Sequence, residues 1–154
     1  MELILKVSLM AVLITIGYID LKTRKIPNML VKGVLILGIV RNLIYLERTL
    51  DGLIGLILGG GILLTIAIIS KGGIGGGDIK LLSAIGLFLG WRKVLLLLTL
   101  QIISSSFALG MLILLNRNKV NTPIPLGPFI ALSTFVVIAY GNKFTYWYTR
   151  AIWL

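Results

Sequence analysis

The stretch from Leu3 to Asn28 reads LILKVSLMAVLITIGYIDLKTRKIPN, an apolar run that ends at an aspartate and a basic turn. The run itself covers the 17 residues from Leu3 to Ile19, and Lys6 is its one charged residue. As an α-helix it would extend about 25 Å, close to the roughly 30 Å hydrocarbon core of a bilayer. This stretch therefore predicts a helix that crosses a membrane and is followed by a polar connection.

Five further apolar runs follow along the chain. They are Met29–Leu46, Gly52–Ser70, Ile79–Trp91, Val94–Leu115 and Phe129–Tyr140. Hydrophobic residues make up 58% of the 154 residues and charged residues 13%, too little charge to solvate the surface of a soluble domain. We expect an all-α membrane protein, a polytopic bundle of about six transmembrane helices that forms one domain over residues 1–154. Glycines four residues apart, Gly55 with Gly59 and Gly86 with Gly90, are interpreted as helix-packing positions.

The composition also limits the chemistry. The chain has no cysteine and no histidine, so it offers no disulfide, no cysteine-ligated zinc site and no catalytic triad that depends on either residue. We predict neither a metal nor another cofactor. The net charge of +10 comes from bases dispersed over short loops, which favours contact with acidic lipid headgroups rather than with nucleic acid.

The distribution of basic residues predicts the orientation in the membrane. With six spans, the connections at 20–28, 70–80 and 116–122 share one side and carry more Lys and Arg than the connections on the other side. Because basic loops tend to remain in the cytoplasm, we predict that this side faces the cytoplasm from the cell membrane.

Two of the five acidic residues stand at positions that need an explanation. Glu2, Glu47 and Asp51 lie at the ends of spans, where water and headgroups solvate them. Asp20 directly follows the first run, and Asp78 directly precedes the fourth. An ionisable residue held within membrane depth is costly, so both are candidates for function.

A recess is predicted around these two acids. Asp78 follows a glycine-rich loop, and the 12 residues from Ile79 to Gly90 extend only about 18 Å as a helix. The run Phe129–Tyr140 is equally short and follows a proline-rich segment, so both helices are expected to begin below the membrane surface, at a cavity open to the cytoplasm. The alternative is that both are simply short or distorted helices. The candidate lining residues are Pro27, Asn28, Pro125, Gly127 and Pro128.

Two carboxyl groups in one recess have a known use in hydrolysis. When they are close together they share one proton, because both cannot ionise easily. The ionised group can take a proton from a bound water while the neutral group hydrogen-bonds a substrate carbonyl. Peptide hydrolysis by this scheme needs neither a metal nor a histidine.

Three segments around these acids form recognisable motifs. They are GGGDIK at residues 75–80, DLKTRKIPN at residues 20–28 and PLGPF at residues 125–129. The first resembles the G-x-G-D-x-K signature of the type IV prepilin peptidases, the second resembles their first catalytic segment, and the third is similar to a proline-glycine stretch near their last helix. With the six-span layout, the resemblance covers nearly the whole chain.

The resemblance implies a membrane-embedded aspartyl endopeptidase. Members of that family remove the short basic leader of type IV prepilin-like or flagellin-like subunits at the cytoplasmic face, before the hydrophobic helix of the substrate. Asp20 and Asp78 match the catalytic aspartates, Gly75 and Gly77 match loop-forming glycines, and Lys80 matches a supporting charge. The implied partners are the prepilin-like substrate and membrane lipids. Many members also carry a cysteine-containing N-methyltransferase region; this chain has no cysteine, so methylation is not predicted.

Other interpretations stay open at this point. Each aspartate could be a structural residue that forms an ion pair with a nearby base. The candidate bases are Lys71 and Lys80 for Asp78, and Lys22 and Arg24 for Asp20. A transporter or proton pathway would also use paired acids, but it predicts further acids within the opposite half of the membrane, where the spans have none. A catalytically inactive pilus-assembly subunit would retain both aspartates.

Overall fold

The computed structural model describes residues 1–71, 73–115 and 125–152. Within these residues the chain forms α-helices, one 3-10 turn and no strand, which confirms the all-α class. The helices are α1 (Glu2–Thr23), α2 (Asn28–Ile44), α3 (Thr49–Ile69), α4 (Gly76–Leu89), α5 (Trp91–Leu115) and α6 (Gly127–Ile152), with the 3-10 turn Leu46–Arg48 before α3. Gly72 of the predicted loop and the predicted polar connection at 116–122 lie outside the described residues.

Two predicted boundaries were wrong. The fourth run was expected to end at Trp91, with Arg92 and Lys93 before the next run, but these three residues form the first turn of α5, and Gly90 alone separates α5 from α4. The sixth run was expected to end at Tyr140, whereas α6 has 26 residues and ends at Ile152. The helix continues because no proline follows Gly141, and a single glycine costs a helix only about 1 kcal/mol.

Within the described residues, three helices are long and apolar enough to cross a membrane, fewer than the six spans predicted. They are Glu2–Thr23, Leu46–Ile69 and Trp91–Met111. The segment Gly127–Gly141 is apolar but shorter. The 14 residues of α4 extend only about 21 Å, which agrees with the short helix expected there. Many large apolar side chains on these helices are exposed, as is usual where lipid rather than water surrounds the protein.

The short helix α4 forms the centre of the bundle. Every residue from Leu81 to Leu89 is buried except Ser83, and α2 and α3 pack against it. A methyl group added at Gly55 of α3 would overlap the carbonyl oxygen of Gly86 in α4, and the reverse substitution would overlap the Gly55 carbonyl. This backbone-to-backbone approach confirms the packing interpretation of these two glycines.

The remaining helices complete the bundle around this core. Helix α1 packs against α6, and α6 packs against α5. Gly90, expected to be a packing glycine, does lie closely against Asp51 of α3, and it also ends α4 with a φ of 86°, a conformation that favours glycine. This sharp joint lets α5 begin at once, while the opposite end of α4 meets the connection between α1 and α2.

Candidate active site

Asp20 lies in the last turn of α1, and its side chain is turned into the protein. Arg24 ends the helix in a left-handed conformation, with φ 53°, and its backbone N–H donates a hydrogen bond to the Asp20 carbonyl at 2.8 Å. The Asp20 carboxylate accepts a hydrogen bond from the backbone N–H of Gly127 at 2.8 Å. Only 4% of Asp20 is exposed. An acidic side chain is thus held almost out of solvent where α1 meets α6.

The close contact between α1 and α6 depends on small residues. A Cβ atom at Gly127 would lie 2.8 Å from Oδ2 and 2.9 Å from Cβ of Asp20. One turn earlier in α1, a Cβ atom at Gly17 would lie 3.4 Å from Cα of Pro128. Because real Cβ contacts are rarely this short, Gly127 is the residue that allows α6 to begin beside the carboxylate.

Asp78 lies in the first turn of α4, directly after the glycine-rich loop. Its backbone N–H donates a hydrogen bond to the carbonyl of Gly75 at 3.1 Å. A Cβ atom at Gly75 would lie 3.0 Å from Oδ2 of Asp78, and one at Gly77 would lie 3.1 Å from Cβ of Ile26. A Cβ atom at Gly76 would meet no packing neighbour within 4 Å. The start of α4 therefore packs closely against the connection that follows α1.

The two aspartates interact electrostatically although they belong to different helices. Asp78 lies outside the three helices that are long enough to cross a membrane, and it is partly buried. Burial raises the pKa of Asp78 to about 6, and repulsion by the Asp20 carboxylate contributes to the rise. The Asp78 carboxyl group therefore keeps a proton at pH values where an exposed aspartate has lost it.

Neither carboxyl group is neutralised by a base in the described part of the chain. The ion pairs among the described residues all involve Glu2 or Glu47. Oδ1 of Asp78 is buried and has no hydrogen-bond partner among these residues. The structural interpretation, an ion pair with a neighbouring lysine or arginine, is not observed for Asp20 or for Asp78.

The other predicted site residues differ in their contacts and in their burial. Gly127 contacts Asp20 and Pro128 contacts Gly17, while Pro125 is half-buried just before α6. Pro27 is half-buried and precedes the first residue of α2. The two predicted site residues with exposed side chains are Asn28 and Lys80, and Lys80 makes no ion pair with a described residue.

Two residues near the site were not predicted. Ile26 packs against the start of α4 at Gly77, and Gly17 receives the first turn of α6. The only pattern that could have indicated Gly17 is its position one helical turn before Asp20, where a small residue allows close packing. Ile26 belongs to the motif at residues 20–28, but its packing role was not predicted, because an apolar residue in a short basic connection has no distinctive pattern.

The arrangement is suited to acid–base chemistry. Asp20 accepts a hydrogen bond from a helix N-terminus, an environment that favours negative charge. Asp78 is a partly buried acid, and the negative charge of Asp20 disfavours its ionisation. One ionised and one neutral carboxyl group can activate water and polarise a carbonyl. No group of three or more acidic or histidine side chains that could hold a metal ion occurs within residues 1–71, 73–115 and 125–152.

Comparison with known proteins gives a consistent family. The family model described as the type IV leader peptidase family matches residues 7–115. A protein of Aeromonas salmonicida named prepilin leader peptidase/N-methyltransferase is 32% identical over 149 residues, covering 92% of this chain and 50% of the relative. A protein of the same name from Pseudomonas aeruginosa is 33% identical over 148 residues, covering 90% of this chain and 50% of the relative.

A more distant relative extends the comparison. A Bacillus subtilis protein of the same name is 29% identical over 151 residues, covering 97% of this chain and 61% of the relative. The chain thus spans about half the length of the first relatives that it matches, 50% for the Aeromonas and Pseudomonas proteins. No solved structure shows significant similarity to the chain.

Proposed function

The chain belongs to the type IV leader peptidase family, and from this premise we propose that it is an aspartyl endopeptidase of the cell membrane. The proposed substrates are prepilin-like or flagellin-like subunits, from which it removes a short basic leader. The relatives that the chain matches are named prepilin leader peptidases, which supports this substrate class. The proposal concerns the peptidase reaction alone, since nothing in the described site points to methyl transfer.

The proposed catalytic pair is Asp20 and Asp78. The observation that carries the proposal is that both acids are at least partly buried at the same end of the bundle and neither is paired to a base among the described residues. Structural acids in a membrane protein are normally paired, because an unpaired buried charge is costly. Two neighbouring unpaired acids are better explained by a reaction that uses both.

The proposed mechanism assigns different protonation states to the two acids. Asp20, which accepts the Gly127 N–H, is ionised and takes a proton from a water molecule as that water attacks the peptide carbonyl. Asp78 is protonated and donates a hydrogen bond to the carbonyl oxygen, which stabilises the negative charge that develops there. Asp20 then passes its new proton to the leaving amine as the C–N bond breaks. Atoms and charge balance without a metal or cofactor.

The proposed orientation places this pair at the cytoplasmic face. The aspartate end of the bundle carries the bases of the connections after α1 and α3, Lys22, Arg24, Lys25 and Lys71. The connections at the opposite end carry Arg48, Arg92 and Lys93, so the connections at the aspartate end hold more bases. This asymmetry favours a cytoplasmic aspartate end.

Co-expression with a prepilin that carries its leader tests the proposal. The wild-type chain should shorten the prepilin, whereas Asp20→Asn and Asp78→Asn should each leave it at full length. Glu47→Gln is the matched control, because it also removes one acid but from an exposed side chain at the other end of the bundle. All variants must be present in the membrane in similar amounts. Cleavage by either aspartate variant would refute the catalytic assignment.

A further inference from the structure

Four basic side chains converge at the end of the bundle opposite the aspartates. We call Lys6 of α1, Arg41 of α2, Arg48 of the 3-10 turn and Lys93 of α5 the basic end cluster. Lys6 and Arg48 both contact Oε1 of Glu2, at 3.1 and 3.9 Å, and Lys93 lies within electrostatic range of the other three bases. No part of the reaction proposed above uses them.

Arg41 is the most deeply placed member of the basic end cluster. Only 6% of it is exposed, and it makes no hydrogen bond or ion pair with a described residue. Its guanidinium carbon lies 5.4 Å from the centre of the Phe88 ring, a cation–π contact that does not neutralise the charge of Arg41. A buried arginine without an anionic partner is costly, and this points to an anion that is bound there.

Three acids lie at this end of the bundle, and none of them forms an ion pair with Arg41. Glu2 pairs with Lys6 at 3.1 Å and with Arg48 at 3.9 Å. Glu47 pairs with Arg48 at 3.8 Å, but 77% of its side chain is exposed, so water screens that pair. The carboxylate of Asp51 attracts Arg41 without forming an ion pair with it.

Lys93 is the second base without an acidic partner. It forms no ion pair with a described residue, and it is half-buried. Its side chain runs beside α6, where a Cβ atom at Gly141 would lie 3.9 Å from both Cδ and Cε of Lys93. Lys93 and Arg41 thus supply two positive charges at one end of the bundle that the described acids do not pair.

We propose that the basic end cluster binds the phosphate of an anionic phospholipid headgroup. Arginine and lysine are the usual ligands of phosphate, and the planar guanidinium of Arg41 can bind two of its oxygens. The exposed Arg48 and the half-buried Lys6 would form the rim. Leu46 and Leu50 flank Arg48 and are 72% and 74% exposed, which provides an apolar surface for the acyl chains. The inference is independent of the peptidase proposal.

Binding of defined lipids to the purified protein in detergent tests this inference. Dioleoyl-phosphatidylglycerol should raise the Tm of the wild-type protein, whereas dioleoyl-phosphatidylcholine, which has no net charge, should not. Arg41→Gln and Lys93→Gln should each weaken phosphatidylglycerol binding by about tenfold or more, since each removes a charged hydrogen-bond donor. Lys32→Gln is the control, because Lys32 is an exposed base on the same helix as Arg41 but near its other end.

The test includes a replacement variant and a control with inorganic phosphate. If Arg41→Gln does not fold, Arg48→Gln replaces it, because the Arg48 side chain is 45% exposed and its loss leaves the helix core intact. Inorganic phosphate is added alone to separate a lipid from a free anion. Equal stabilisation by phosphatidylcholine, or undiminished phosphatidylglycerol binding by Lys93→Gln together with Arg48→Gln, would overturn the inference. Full stabilisation by phosphate alone would overturn the assignment to a lipid.

Discussion

The backbone N–H of Gly127 donates a hydrogen bond of 2.8 Å to the carboxylate of Asp20, across 107 positions of sequence. Gly127 is the first residue of α6, so its N–H is one of those that a helix leaves without an internal acceptor. The Asp20 side chain supplies that acceptor and is in turn fixed in direction. The start of one helix thus orients a proposed catalytic group at the end of another.

Substituting Gly127 by alanine should lower the rate of prepilin cleavage more than it lowers the stability of the fold. The new methyl group would stand 2.8 Å from Oδ2 of Asp20, so the carboxylate must move. We expect prepilin cleavage by Gly127→Ala to fall about 10–100-fold, the usual cost of displacing a catalytic group by a fraction of an ångström to one ångström. The measurement is kcat/KM on a purified prepilin.

The matched control for this substitution is Gly110→Ala. Gly110 lies in α5, where an added Cβ atom would meet no packing neighbour within 4 Å. This variant should cleave like the wild type. Equal activity of the two alanine variants would show that the contact between Gly127 and Asp20 is without consequence.

The three glycines before Asp78 should differ in their tolerance of alanine. Gly75→Ala would place a methyl group 3.0 Å from Oδ2 of Asp78, and Gly77→Ala would place one 3.1 Å from Cβ of Ile26. Both should lower cleavage by about tenfold or more, because each shifts Asp78 or the start of its helix. Gly76→Ala should retain full activity, since the space beside Gly76 is open.

Thermal unfolding separates the two effects at this loop. Gly76 lies in the first turn of α4, where alanine favours a helix by up to about 1 kcal/mol relative to glycine. The Tm of Gly76→Ala should therefore equal or exceed that of the wild type. Loss of activity in all three variants alike would argue against the specific contacts of Gly75 and Gly77.

Much of the fold could be predicted from sequence, and the same local patterns led to the proposal of the two acids as the site. Apolar runs, a short fourth helix and two isolated acids are local patterns, and each has a direct physical meaning in a membrane protein. The hydrogen bond between Asp20 and Gly127 was not predictable in the same way, because it depends on the register of α1 against α6. The length of α6 was missed since hydropathy falls after Tyr140 although the helix continues to Ile152.

The burial of Arg41 at the other end of the bundle could not be predicted from the sequence either. In the sequence, Arg41 is a base near the end of an apolar run, a position from which a long basic side chain usually reaches the surface. The structure buries it against Phe88, because α2 packs closely on α4. Burial of a charged side chain is decided by which helix is the neighbour, and a single sequence does not specify that.

The contact between α3 and α4 should be sensitive to a single methyl group. In Gly55→Ala or Gly86→Ala the added methyl would overlap a carbonyl of the facing helix, and backbone cannot move aside as a side chain can. We expect each variant to lower the free energy of unfolding by about 1–3 kcal/mol. Denaturation of the purified protein in detergent, followed by circular dichroism, measures the change.

Gly61→Ala serves as the control for this contact. Gly61 lies in the same helix as Gly55, but an added Cβ atom would meet no packing neighbour within 4 Å. Its stability should be unchanged or slightly higher, because alanine favours the helix. If Gly61→Ala were as destabilised as Gly55→Ala, general helix effects and not the contact with α4 would be the cause.

Protonation of Asp78 should couple both stability and activity to pH. Its pKa is raised from 3.8 to about 6 in the folded protein, so the folded state binds the proton more tightly than the unfolded state does. The resulting stabilisation is fully present below about pH 4 and is lost as the pH rises through about 6. The Tm of the wild type, relative to that of Asp78→Asn, should therefore fall between pH 4 and pH 7.

The rate of cleavage should depend on the same protonation of Asp78. If neutral Asp78 polarises the substrate carbonyl, kcat/KM for the wild-type protein should decline as the pH rises through about 6, because ionised Asp78 cannot donate that hydrogen bond. Glu47→Gln should leave both the Tm difference and this decline in place, since its side chain is exposed and remote from the pair. Parallel Tm curves for the wild type and Asp78→Asn would mean that Asp78 does not hold a proton in this range, and the assigned roles of the two acids would then have to be exchanged or abandoned.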